Sequence, residues 1–276
     1  MNNVERRDAE MLYMFDRDTA AQMKQARLLL NTLNKADYTD YDTIRRTVAQ
    51  LLGGSDDTTM INPPFYCDYG KNIFVGKNFF ANYNCKFMDG GRITFGDDVL
   101  VGPDCTFVTA VHPVDPERRK AGYQIFKPIT VGNNVWFGAG VLVCPGVTIG
   151  DNCVIGNSTE LKNVILFDNV QVPHYNYVGD SILGYKAHMG AGSITSNVKA
   201  DKKNVMVHAE DGDIETGCRK FGAMLGDFAE IGCGSVLNPG TVIGKHSNVY
   251  PLSSVRSCVD AYSIYKKQGE VAQKYD

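Results

Sequence analysis

From Ile129 to Gly156 the chain reads ITVGNNVWFGAGVLVCPGVTIGDNCVIG, and an apolar residue falls on every sixth position: Val131, Phe137, Val143, Ile149 and Ile155. Glycine follows four of the five, at Gly132, Gly138, Gly150 and Gly156. The same beat returns at Leu225, Ile231, Leu237, Ile243, Val249 and Val255, and briefly at Phe95, Val101 and Phe107. An α-helix cannot keep a six-residue apolar row on one face, and a plain strand repeats every second residue. A chain wound into a prism can. A short strand carries the aliphatic residue inward, and glycine or a small polar residue takes the corner, where backbone torsions are unusual. Hexapeptide repeats of this kind mark a parallel β-helix, so the sequence predicts an all-β solenoid.

A solenoid has no single globular core, so the length of 276 residues does not count its domains. The formal net charge is −3 and no basic stripe is visible, which argues against nucleic acid as a partner. The opening Met-Asn-Asn-Val-Glu-Arg-Arg lacks the apolar run of a signal peptide, and no apolar stretch approaches membrane-spanning length. The eight cysteines are scattered and form no C-x-x-C pair. They read as free thiols in a reducing cytoplasm, with neither disulfides nor a metal site expected.

Four segments are expected: residues 1–57, 58–156, 157–258 and 259–276. The first is poor in glycine and reads as a helical pair. Met23, Ala26, Leu30 and Leu33 share one helical face behind Asp18 as N-cap, and Tyr41, Ile44, Val48 and Leu51 share another behind Asp40. Two polar interruptions break the beat. One, from His112 to Pro128, should loop out of the wall; the other, from Lys202 to Lys220, reads as a hairpin or loop. The tail from Ala261 to Asp276 reads as a short amphipathic C-terminal helix. The open ends of a parallel solenoid are unpaired edges that invite aggregation, and the helical N-terminus and the tail are expected to cover them.

The strings INPPFYCDYGKNIFVGKNFFANYNC (61–85), TAVHPVDPERR (109–119) and KPITVGNNVWFGAGVLVCPGVTIGDNCVIG (127–156) resemble the maltose and galactoside O-acetyltransferases. The helical region around Arg27-Leu28-Leu29 is similar to the N-terminal subdomain of that family. After Gly156 the resemblance changes. ELKNVILFDNVQVPHYNYVGDSILGYKAHMGAGSITSNVKADKK (160–203) and KFGAMLGDFAEIGCGSVLNPGTVIGKHSNVYPLSSV (220–255) resemble the acetyltransferase half of N-acetylglucosamine-1-phosphate uridyltransferases. These resemblances imply a left-handed parallel β-helix, a homotrimer, and acetyl-CoA as co-substrate.

The chemistry shared by both families sets what the site must do. An acceptor hydroxyl or amine loses a proton as it attacks a thioester carbonyl, whose oxygen gains negative charge. Histidine, with an unperturbed pKa of about 6.5, suits the base, and a backbone N–H suits the oxyanion donor. The front resemblance implies His112 as general base, Asn82 and Asp89 as contacts to a sugar hydroxyl, Trp136 beside the cofactor arm and the Ala139 N–H as oxyanion donor. The rear resemblance implies His174 as the base, with Tyr177, Lys162, Asn197 and Lys203 around a sugar phosphate and Ala191 touching CoA. Cys144 and His188 depart from that pattern, standing where the rear family carries a phosphate-binding arginine and a sugar-site asparagine. Three readings follow: a sugar O-acetyltransferase through His112, an N-acetyltransferase on an amino sugar or sugar phosphate through His174, and a catalytically silent scaffold. In the first two, small-molecule sugars are the expected partners.

Overall fold

A computed structural model describes residues 1–267 and 270–273. The chain divides into two compact units, Met1–Asn134 with Leu142–Val147, and Val135–Val141 with Thr148–Asp276.

The first unit opens with helices. Helix α1 (Asn3–Asp8) is closed by a capping box between Asn2 and Glu5. Helix α2 (Arg17–Leu33) buries Ala26, Leu30 and Leu33, as its apolar stripe predicts. Its N-cap is Asp16 rather than Asp18: the Asp16 carboxylate accepts from the backbone N–H of Asp18 at 3.1 Å and of Thr19 at 3.0 Å. Helix α3 (Tyr41–Leu51) is capped by Asp40 and buries Ile44, Val48 and Leu51, while Tyr41 stays exposed. These helices meet the first coil through Asn34. Its side chain donates to Phe65 O at 2.9 Å and accepts from Phe65 N at 2.9 Å, standing where a neighbouring strand would otherwise pair. The first strand edge is thus met by a side chain, in line with the expected cover.

Behind the helices the unit coils through three parallel sheets. Phe65–Cys67 pairs with Cys85–Met88, which pairs with Thr106–Val108, and the other two sheets follow the same register logic. The second unit repeats this arrangement. Its longest run of parallel pairings passes from Trp136–Phe137 through Val154–Asn157, Gln171–His174, His188–Met189, Glu230–Ile231 and Asn248–Val249 to Ser263–Lys267. Each residue of the sixfold beat points inward, and none is more than 3% exposed. In the first unit the core is aromatic. The Phe87 ring lies 5.1 Å from Phe65, 5.5 Å from Phe95 and 4.7 Å from Phe107. Rings of this size bury far more surface than the aliphatic residues that fill the second unit.

The corners divide the labour differently from the sequence expectation. Many of the left-handed backbone positions are held by Asn and Asp, among them Asn78, Asp98, Asn134, Asn152 and Asn169, with φ between 52° and 62°. These short polar side chains tolerate that region. The beat glycines are there for space. A Cβ at Gly138 would lie 2.8 Å from the Asn157 nitrogen, and one at Gly156 would strike the carbonyl of Pro173.

Among the described residues of the tail the expected C-terminal helix is not formed. Ser263–Lys267 is a strand, and Glu270–Gln273 folds back antiparallel onto it; the rest of the expected helix lies outside the described residues. Tyr265 is buried and its hydroxyl donates to Ser254 O at 3.1 Å, so alternation, not a helical stripe, governs the segment.

Candidate active site

In the first unit the wall is interrupted by an ordered excursion. Ala110–Val111 pairs antiparallel with Tyr123–Phe126, which pairs in turn with Tyr13–Met14 near the N-terminus. Phe126 is buried against Gly90 and Gly91, where a Cβ at Gly90 would collide with its ring. The Tyr13 ring lies 5.5 Å from Phe126, and its hydroxyl accepts from Gln124 Nε2 at 2.7 Å. Burial pushes the Tyr13 phenol well above its usual range. His112 follows directly on Ala110–Val111 and is exposed. The segment beyond it is tied down by helix α4 (Pro116–Lys120). Asp115 caps that helix, and Arg119 Nη1 donates to Pro113 O at 2.9 Å and to Val114 O at 3.0 Å. The polar, proline-bearing stretch is therefore an anchored mount for His112.

Asn82 follows the strand Phe80–Ala81 and is half-buried; its Oδ1 accepts from Tyr83 N at 2.8 Å. Asp89 does not serve as an acceptor contact in this fold. It is fully buried, and its carboxylate accepts from the backbone N–H of Asp68 at 2.9 Å, Tyr69 at 2.8 Å and Asn72 at 3.3 Å. Burial pushes its pKa up to about 6, with the nearby Asp68 charge adding and the backbone hydrogen bonds opposing. The carboxylate holds the turn that begins the next coil and offers no surface to a ligand.

In the second unit the structure gathers three of the expected residues, Ala139, His174 and Ala191, into one column with Asn157. Ser158 N donates to Ala139 O at 3.0 Å, Asn157 is the register partner of His174, and Gly192 N donates to His174 O at 2.9 Å. Ala139, Asn157, His174 and Ala191 thus stand at the same corner of successive coils. Ala139 and His174 are exposed and Ala191 is half-buried; no acceptor for the Ala139 N–H lies among the described residues. His174 is steadied by its backbone, whose N–H donates to Asn176 Oδ1 at 3.0 Å. Asn176 is buried and spends its amide nitrogen on Gly190 O at 2.8 Å and Ser193 O at 2.9 Å. Trp136, 54% exposed, lies on the same parallel run as Gln171–His174, joined to it through Val154.

Tyr177 and Asn197 also meet. The Asn197 amide donates to the Tyr177 hydroxyl at 3.2 Å and to Asp180. Lys162 is exposed, with Gly179 as its register partner, which places it one strand from Tyr177. Lys203 lies on the second excursion, which folds as the hairpin Met206–Ala209 and Gly212–Glu215. Two arrangements had no sequence signal. His188 Nδ1 is 2.8 Å from Glu230 Oε2 although the two are 42 residues apart, and His246 is stacked between Phe228 at 4.6 Å and Tyr262 at 5.0 Å. None of the eight cysteines is in a disulfide, and four of them are buried. Among the described residues no group of three or more His, Cys, Asp or Glu is placed to hold a metal ion, and no helix is long and apolar enough to cross a membrane.

Comparison with known proteins now bears on these surfaces. The galactoside O-acetyltransferase of Lactococcus lactis is 36% identical over 148 residues, which span 53% of this chain and 72% of that one. The chain belongs to the hexapeptide-repeat acetyltransferases. Among solved structures, a galactoside acetyltransferase in complex with coenzyme A is similar over 58% of this chain and 81% of its own, with a TM-score of 0.57 and 34% identity. A maltose O-acetyltransferase from Clostridium difficile 630 is similar over 58% and 86%, with a TM-score of 0.57 and 36% identity. The solenoid of this hexapeptide-repeat acetyltransferase is accordingly a left-handed parallel β-helix. The model of the GMPPB C-terminal domain matches residues 125–219, so a second kind of relative overlaps the rear coils.

Proposed function

We propose that this protein transfers the acetyl group of acetyl-CoA to a sugar hydroxyl, with His112 as general base and a homotrimer as the working assembly. The observation that carries the reading is the match to galactoside and maltose O-acetyltransferases, one of them solved with coenzyme A. It gains support from the anchored mount that presents an exposed imidazole. In the proposed reaction His112 takes the proton of the acceptor hydroxyl as that oxygen bonds to the thioester carbonyl carbon. The Ala139 N–H meets the charge that develops on the carbonyl oxygen. His112 then returns the proton to the departing CoA thiolate, so the products are the sugar ester and free CoA. Asn82 contributes a hydrogen bond to the acceptor, and Trp136 and Ala191 pack along the pantetheine arm. Eight cysteines outside any disulfide fit a reducing cytoplasm as the compartment.

A second reading is favoured by the corner column. His174, Ala139 and Ala191 stack there, with Tyr177 and Lys162 on neighbouring strands, as an acetyl transfer to an amino sugar or sugar phosphate would need. The two readings together imply that the chain joins, near Gly156, the front coils of one acetyltransferase type to the rear coils of another.

Release of free thiol from acetyl-CoA across a panel of sugars separates them. A general base contributes about 10²–10⁴-fold, so His112→Ala should lose at least 100-fold in kcat while His174→Ala retains turnover. If only His174→Ala abolishes turnover, the second reading stands and the first fails. Light scattering that gives a monomer mass would remove the trimer.

A further inference from the structure

Between the strands Ile194–Thr195 and Ala223–Leu225 the chain leaves the coil and returns. The excursion is firmly seated. Val205 and Val207 are buried, and Thr216 Oγ1 donates to Val205 O at 2.6 Å. A Cβ at Gly240 would strike the carbonyl of Met206, so the hairpin lies directly against a later coil. Packing stops short of completeness there. A cavity of about 470 Å³ remains, with Ser196, Asn238, Arg256 and Ser257 contributed by the coils and Met206 and His208 by the hairpin. That volume falls within the range of small-molecule sites, about 300–1,000 Å³.

Its charges are unevenly matched. Lys199 Nζ lies 3.3 Å from Asp201 Oδ2, and His208 Nδ1 lies 2.7 Å from Asp213 Oδ1. Arg256 is exposed and makes no ion pair among the described residues, although the chain as a whole carries a formal charge of −3. Across the segment 199–206 a second cavity of about 490 Å³ sets Lys199, Lys202, Lys203 and Arg219 against only Asp201 and Glu215. Along both linings the Lys and Arg side chains outnumber the carboxylates: Lys199 and Arg256 against Asp201 at the first, four against two at the second. A guanidinium presents a planar fork of donors that suits the oxygens of a phosphoryl group, and Ser196 and Ser257 line the same cavity. A neutral ligand would leave the fork unused.

We propose that the cavity beside Arg256 binds a phosphate monoester, with the phosphoryl group on the guanidinium and the rest of the ligand beneath the hairpin. The same group occurs on a phosphorylated sugar and at the 3′ position of CoA, and both would be read by the same fork. The site lies wholly within the second unit and does not depend on the acetyl-transfer reading, because binding is measured without turnover.

Isothermal titration calorimetry on the full chain tests it with inorganic phosphate, glucose 1-phosphate, CoA and dephospho-CoA. Phosphate should bind the wild type, and Arg256→Gln should weaken it about tenfold or more. Loss of affinity from CoA to dephospho-CoA that disappears in Arg256→Gln would identify CoA as the source. Equal affinity for those two, with tight Arg256-dependent binding of glucose 1-phosphate, would identify a sugar phosphate. Arg256→Lys keeps the charge but loses the fork, so it should fall between wild type and Arg256→Gln; this variant carries the test if Arg256→Gln fails to fold. Absence of phosphate binding, or binding that neither variant weakens, overturns the proposal.

Discussion

Asp89 offers the sharpest test of how the first unit is held together. Its folded pKa is about 6 against an ordinary value of 3.8, a rise of roughly two units caused chiefly by burial. A raised folded pKa means that the group's favourable contribution is complete below about pH 4 and is lost as pH climbs through about 6. At 1.36 kcal/mol per unit, holding the charge at neutral pH costs about 3 kcal/mol. The three backbone donors keep the side chain in place despite that cost. Asp89→Asn removes the charge and retains an oxygen for the two shorter bonds, so its stability should lose this pH dependence. Asp89→Ala leaves three donors without their acceptor and should be less stable than Asp89→Asn by about 2–4 kcal/mol at every pH. Urea denaturation by circular dichroism at closely spaced pH values between 4 and 7 measures both. Subtracting the Asp89→Asn curve from the wild-type curve cancels other carboxyls, including Asp68, whose pKa burial also raises. An Asp89→Asn curve with the full wild-type slope, or an alanine variant as stable as the asparagine one, would refute the assignment of Asp89 to the backbone.

Two further outcomes follow from packing. Phe87→Ala removes the ring at the centre of the aromatic cluster, with Phe65, Phe95 and Phe107 all within 5.5 Å, and should cost about 3–5 kcal/mol in urea denaturation. A change below about 1 kcal/mol would mean the cluster does not carry the core. Thiol titration of the native chain should be biphasic, with the exposed Cys218 and Cys233 reacting first. Cys85, pushed up to about 12 by burial, and Cys153, pushed up to about 11, should react only on unfolding.

The solenoid was legible because its inward residues recur at a fixed interval, and each of them is buried. Its hand was legible only through resemblance, since a sixfold beat fits either sense of winding. Other features depend on distance along the chain. Tyr13 pairs with Gln124, 111 residues away, and no local pattern marks Tyr13–Met14 as a strand. The column of Ala139, His174 and Ala191 is hidden because excursions and unequal turns break the spacing between coils. Asp89 misled for a related reason. Its residue type suits both a ligand contact and a turn anchor, and only its burial distinguishes them. The tail misled because the five residues of Ser263–Lys267 are too few to set a strand period against a helical one.

The antiparallel return at Glu270–Gln273 has a consequence for how such a chain can lengthen. A parallel stack is an open-ended template, and one more turn of the same repeat would ordinarily find its place on the last. Here the edge of one of the three sheets is occupied by a strand running the opposite way. Recruitment of another strand onto that edge would first have to peel Glu270–Gln273 away.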